Sequence, residues 1–221
     1  MRLHIHKAIE KLNARILEMG AMVEENLKAA VVAYESFDVD EARILIKKDK
    51  HINEMEIDIE EDCLKILALY QPVAIDLRRI VSVLKINNEL ERINDFVVNL
   101  AERVIALSHF GQVKIEFDLA GMAEKAQVML AKSLDSFIRL DTKTARQVLI
   151  LDDEVDDMHK EVYKIVETQI QKNPEKIEIL IQFPSISRYL ERIADLACNI
   201  AEDVIYLADG DIVRHRSFDE I

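Results

Sequence analysis

Apolar positions recur at helical spacing through most of the chain. Ile86, Leu90, Ile93, Val97, Leu100 and Val104 step by 4, 3, 4, 3 and 4 residues, the a/d spacing by which helices in left-handed packing bury one stripe each. Ile186, Leu190, Ile193, Ala197, Ile200 and Val204 repeat the same steps. The residues themselves repeat too: 90–107, LERINDFVVNLAERVIAL, and 190–207, LERIADLACNIAEDVIYL, are identical at 11 of 18 positions without a gap. An earlier block places Ala42, Arg43, Asp49, Ile52, Asn53 and Met55 over Ala145, Arg146, Asp152, Val155, Asp156 and Met158. The offset is 103 in the early block and 100 in the late one, so the second copy is three residues shorter between them. The bend at Gln71-Pro72, which faces Lys172-Asn173-Pro174, is the place for that loss.

Polar turns divide each copy. The segment Asp38 to Asp40 and its counterpart around Asp141 each precede a helical run. Pro72 and Pro174 each stop one helix and suit the first turn of the next. The pattern predicts three antiparallel helices per copy, at about 7–36, 40–70 and 73–108, then 119–139, 142–171 and 175–208. Helices of this length run to about 45 Å, so the molecule should be elongated. Pro184 falls inside the sixth helix and should kink it. The expected fold is all-α: two tandem three-helix bundles, six long antiparallel helices related by internal duplication, with repeats at 1–110 and 111–221 and a join around Gly111. Leu77, Val81 and Leu84 remain outside each three-helix core and could pair the two halves or two chains.

Composition agrees with that reading. Only 4 Gly and 3 Pro occur among 221 residues, too few for a sandwich or barrel with frequent turns or for a glycine-rich nucleotide loop. The balance of 29 basic against 42 acidic side chains gives a net charge of −13, a field that repels phosphate backbones and argues against nucleic acid as a partner. Uncharged stretches such as Ile66 to Ile75 are about half the length of a membrane span. The first residues lack the apolar run of a secretory signal, so a cytoplasmic protein is expected, reaching membranes only through protein partners. Cys63 and Cys198 fit no metal or redox spacing and read as buried free thiols.

The candidate chemistry lies in acidic stripes. At 100° per residue, Glu91, Asp95, Asn99 and Glu102 fall within about 80° of one another, away from the a/d seam. Glu191, Asp195, Asn199 and Glu202 repeat them. The second helix carries Asp49, Asn53, Glu56 and Glu60 on one face, and the fifth carries Asp152, Asp156, His159 and Tyr163. Like charges at i and i+4 destabilise a helix, so a compensating group is expected. Oxygen donors without thiolates favour a hard or intermediate cation, such as magnesium, calcium, manganese or iron, over zinc. A solvated acidic face partly neutralised by Arg92 and Arg192 is the alternative. A di-iron carboxylate enzyme needs Glu-x-x-His on two helices; Asn94 follows Glu91 and Ala194 follows Glu191 at that spacing, and only Asp156 and His159 form a carboxylate-x-x-His pair. The histidines His4, His6, His51, His109, His159 and His215 read as surface residues near ends or turns. Cys63 and Cys198 lack an adjacent base, and no Gly-x-Ser-x-Gly occurs, so no catalytic residue and no enzyme activity is expected. No glycine-rich anion nest marks a site for phosphate itself.

Leu-Glu-Arg-Ile-x-Asp at 90–95 and at 190–195, followed by Asn99, Ala101-Glu102 and Asn199, Ala201-Glu202, resembles the PhoU family. Gln71-Pro72 followed by Asp76-Leu77-Arg78, and the stretch Gly20 to Glu24, are similar to it as well. The resemblance spans about residues 7–215. It implies a non-enzymatic adaptor between the ATPase subunit of the phosphate ABC transporter and a phosphate-sensing histidine kinase. Such an adaptor restrains high-affinity phosphate uptake and keeps the starvation response off when phosphate is plentiful. It also implies a homodimer, and metal clusters on acidic motifs that carry over onto Glu91 and Asp95, Glu191 and Asp195, and Asp49 and Asp152 with Asp156. Asn53 stands where the second copy has Asp156 and weakens the charge of the first cluster. Asn94 and Ala194 stand where the family often has Gly, a change expected to alter helix packing rather than ligation. A helical bundle for metal storage or buffering is the alternative, and a scaffold for some other partner is a third reading.

Overall fold

The computed structural model describes residues 2–110 and 117–213, so Gly111 and His215 lie outside the described residues. Helices α1 (Arg2–Ser36), α2 (Val39–Tyr70) and α3 (Ala74–Ser108) form the first repeat. The second comprises α4 (Leu119–Arg139), α5 (Thr142–Lys172), a 3-10 turn (Pro174–Lys176), α6 (Ile177–Leu180) and α7 (Gln182–Asp209), with α6 and α7 together making one interrupted sixth rod. No strand occurs among the described residues. The α1 helix starts earlier than expected because Ile5, Ile9, Leu12, Ile16, Met19 and Val23, all buried, continue the four-three stepping back towards the terminus.

The turn between the first two helices of each repeat is built twice in the same way. Phe37 (φ 56°) and Leu140 (φ 51°) take the left-handed conformation. Asp38 N–H then reaches back to Ala33 O at 2.9 Å, and Asp141 N–H to Ser136 O at 3.0 Å, closing the helix C-terminus in a Schellman pattern. Each aspartate also caps the next helix: Asp38 Oδ1 accepts from Asp40 N and Glu41 N, and Asp141 Oδ1 from Lys143 N and Thr144 N, satisfying donors that the first turn leaves open. With so few glycines, α1, α2 and α4 end on the bulkier left-handed residues Phe37, Gln71 and Leu140, and among the described residues only α7 stops on a glycine, Gly210 at φ 74°.

The prolines act one step away from their expected positions. Pro72 lies in the turn 71–73, ahead of α3 rather than inside its first turn, because Gln71 (φ 45°) already caps α2. Pro174 opens a 3-10 turn, not an α-helix. Pro184 belongs to the first turn of α7, and the interruption falls upstream at Ile181, where the ring would meet the carbonyl of Leu180 and no N–H is available to it.

Helices α3 and α7 occupy the centre. The first packs on α1, α2 and α7, the second on α4, α5 and α3, and α1 also touches α4. The two run antiparallel: Lys85 meets Asp203 at 3.0 Å, Glu89 meets Asn199 at 3.4 Å, Phe96 and Tyr189 stack with centroids 6.0 Å apart, and Arg103 reaches Gln182 at 2.9 Å. Buried residues of both repeats therefore form one continuous core, from Ile5 to Val213. Of the apolar residues left over by each triplet, Val81 lines the junction beside Tyr206 and Val213, Leu84 packs on the core, and Leu77 stays 40% exposed. Gly20 marks the α1–α4 contact, since a Cβ there would stand 2.9 Å from Leu134 Cδ1. Cys63 and Cys198 are buried free thiols.

Candidate functional site

The expected acidic stripes face each other within each repeat, but the two faces are chemically unlike. In the first, Asp49 of α2 lies against α3, where its charge bears on Glu91 and Asp95. Asn94 Nδ2 donates to Asp49 Oδ1 at 2.9 Å, and Asn53 Nδ2 donates to Asp49 Oδ2 at 2.9 Å. Asn26 of α1 continues the chain by donating from Nδ2 to Asn94 Oδ1 at 3.0 Å. Asn94 is 1% exposed and Asn26 4%, so this is an interior polar relay across three helices. Nearby, Asn87 Nδ2 donates to the Glu56 carbonyl at 2.9 Å. Burial pushes the Glu56, Glu91 and Asp95 carboxyls above their usual range; Glu60 adds to the first, Asp95, Glu56 and Asp49 to the second, and Asp49 to the third.

In the second face, Asp152 and Asp156 of α5 lie against Glu191 and Asp195 of α7. Here Ala194 replaces Asn94 and Asp156 replaces Asn53, so neither amide is present. The Asp152 carboxyl is pushed up to about 6, by burial first and then by Asp195 and Asp156. Glu191 and Asp195 are raised as well, again chiefly by burial. Compensation comes first from Arg192, which donates to Asp195 Oδ2 at 2.9 Å and stands 3.6 Å from Glu191, and then from the charge of Arg188. Its counterpart Arg92 turns aside to Glu89 at 3.1 Å.

Asn99, Glu102, Asn199 and Glu202 take no part in these contacts. Asn99 and Glu102 make no hydrogen bond or ion pair among the described residues, and Glu102 is exposed. Asn199 crosses to Glu89 of the other repeat, and Glu202 lines the junction with Lys85 and Tyr206. Asn94 was expected to affect packing alone; it holds the central carboxylate of the first face directly. Its partner Asn26 had a legible signal, an amide standing at an apolar step between Val23 and Ala30. His51 and His159 are mid-helix residues and not near turns. His159 is buried, with Nδ1 2.9 Å from Ser187 Oγ and its ring edge-on to Tyr163 at 5.1 Å. Burial foremost, with Arg188 and Arg192 nearby, holds its pKa below the usual imidazole range, against the pull of Asp156.

Among the described residues no three His, Cys, Asp or Glu side chains converge on a point that would hold a metal ion. The first face is the poorer fit, because it has the neutral Asn53 where the second has Asp156 and each oxygen of Asp49 already accepts one amide donor. The second keeps an oxygen-only donor set with excess negative charge, the chemistry a hard cation suits. No helix among the described residues is long and apolar enough to cross a membrane.

A duplicated three-helix bundle carrying two unlike acidic faces defines an all-α scaffold protein. The chain belongs to the PhoU family: the PhoU domain matches residues 16–104 and again 119–204. It is 35% identical over 98% of both chains to the phosphate-specific transport system accessory protein PhoU homolog of Aquifex aeolicus. To the phosphate-specific transport system accessory protein PhoU of Escherichia coli it is 32% identical, over 96% of this chain and 88% of that one. The crystal structure of PhoU from Pseudomonas aeruginosa superposes with a TM-score of 0.90 at 35% identity, covering 93% of this chain and 99% of that one. The phosphate transport system regulatory protein PhoU from Streptococcus pneumoniae gives 0.85 at 29% identity, over 95% and 99%. Family members are named accessory and regulatory proteins, not enzymes.

Proposed function

We propose that this protein is a regulator of high-affinity phosphate uptake that works by binding. It joins the ATPase subunit of the phosphate ABC transporter to a phosphate-sensing histidine kinase and keeps starvation genes off while phosphate is plentiful. The observation carrying this reading is the full-length match, in both repeats, to relatives named as accessory proteins of phosphate transport. The scaffold suits the role physically: rods of about 45 Å offer long lateral surfaces, and a net charge of −13 favours basic patches on partners. Deleting the gene is expected to raise a phosphate-starvation reporter in high phosphate, and tagged protein is expected to recover the transporter ATPase. An unchanged reporter in the deletion strain would refute the regulator assignment.

One observation favours a second reading, a cation-buffering bundle: the crowded carboxylates of the second face, with Asp152 raised to about 6. Manganese, iron or magnesium would be the cargo. That reading expects metal-dependent stability with no partner recovered; a chelator-stripped chain that still captures the ATPase and restores reporter control would rule it out as the main role.

A further inference from the structure

The two acidic faces occupy equivalent places in the two repeats, yet only one has amides in it. An ionised carboxylate accepts and cannot donate. Asn94 turns its NH₂ towards Asp49 and presents Oδ1 to Asn26. Asn26 in turn must present its own NH₂, as observed at 3.0 Å. The bonds of the relay run one way, from Asn26 through Asn94 to the carboxylate at its end. If Asn94 flipped to offer Oδ1 to a cation on Asp49, its NH₂ would confront that of Asn26, in a site where Asn94 is 1% and Asn26 4% exposed. Burial without a partner costs each such group about 1–3 kcal/mol in general, so the flip is opposed. Asn53 donates to the other Asp49 oxygen from one turn further along α2, with its own Oδ1 buried and unpartnered.

We propose that Asp49 of the first acidic face is withheld from cations by its own neighbours, with Asn94, held by Asn26, acting as the positioning residue that puts an amide N–H where a metal ion would otherwise stand on Asp49. The positive ends of two amide dipoles neutralise Asp49 in place of an ion. The second repeat, with Ala194 and Asp156 at the equivalent positions, has no such device. The duplicated halves have separated in their chemistry while keeping the same fold. This inference is independent of the adaptor role, since it concerns which half of the chain can take up a cation and not which partner the chain meets.

The test is Mn²⁺ uptake by chelator-stripped protein, followed by calorimetry and by electron paramagnetic resonance of bound Mn²⁺. Wild type and Asp49→Asn are expected to bind the same amount, because Asp49 has no vacant role to lose. The double variant Asn53→Asp, Asn94→Ala, which copies the second repeat into the first, is expected to gain a further equivalent, and Mn²⁺ should raise its Tm. Circular dichroism checks that the variant remains helical. Asn53→Asp alone, at a half-buried position, keeps the Asn94 amide and is expected to gain nothing, which provides a second reading if the double variant is unstable. Loss of Mn²⁺ in Asp49→Asn, no gain in a folded double variant, or a gain in Asn53→Asp alone would each overturn the proposal.

Discussion

Asp152→Asn should stabilise the protein at neutral pH, although it removes a charged residue from a candidate binding face. The Asp152 carboxyl is pushed from its ordinary value up to about 6, by burial and by the charges of Asp195 and Asp156. In the unfolded chain it titrates near about 3.9. Between those two values the folded state holds the proton more tightly than the unfolded state, so stability falls as pH rises from about 4 to about 6 and stays lower above that window. A shift of about two units corresponds to roughly 3 kcal/mol, and water screening of a half-buried group reduces this to about 1–2 kcal/mol. Asparagine removes that repulsion. Its NH₂ can also donate to Asp156 or Asp195, as Asn53 does to Asp49. Thermal melts followed by circular dichroism should show Asp152→Asn above wild type at pH 7.5 by a few degrees, at about 2–4 °C per kcal/mol for a chain of this size. The gain should shrink as pH approaches 4. An equal gain at both pH values, or a loss at pH 7.5, would refute the electrostatic argument.

Gly20→Val should force α1 and α4 apart, since even a Cβ there stands 2.9 Å from Leu134 Cδ1; overpacking of this kind costs about 1–3 kcal/mol, to be read by denaturant unfolding, with Gly20→Ala affected less because the Leu134 tip can turn. Burial pushes the Cys63 thiol up to about 12 and Cys198 higher still, so neither should react with a thiol-specific reagent at pH 8 in the native state, whereas both should react after denaturation.

Fold and repeat were legible because they depend on periodicity, which a helix writes directly into its sequence. The 103-residue offset read from Asp49 and Asp152 also relates Phe37-Asp38 to Leu140-Asp141, the pair of residues that builds the first turn of each repeat. The interruption at Ile181 was legible only as a proline effect, because Pro184 disturbs the carbonyl of the residue four before it and so moves the break upstream. The acidic faces were legible as angles on single helices. Angles do not say which neighbour a side chain meets, and that question separates Glu91 and Asp95, which face α2, from Asn199, which reaches Glu89 of the other repeat. The partners of Asn94 were not legible for the same reason: they depend on the height of Asp49 and Asn26 on two other rods, a register that one helix cannot encode.

The antiparallel junction of α3 and α7 has a consequence for how the halves recognise each other. Arg103 and Asp203 hold equivalent places in the aligned 90–107 and 190–207 blocks, and Asp203 is the residue that meets Lys85. Two copies of the first half joined in the same manner would set Lys85 against Arg103, cation against cation. The seam therefore carries a charge match that a pair of first halves would turn into a repulsion, so the first half prefers its sister to a copy of itself.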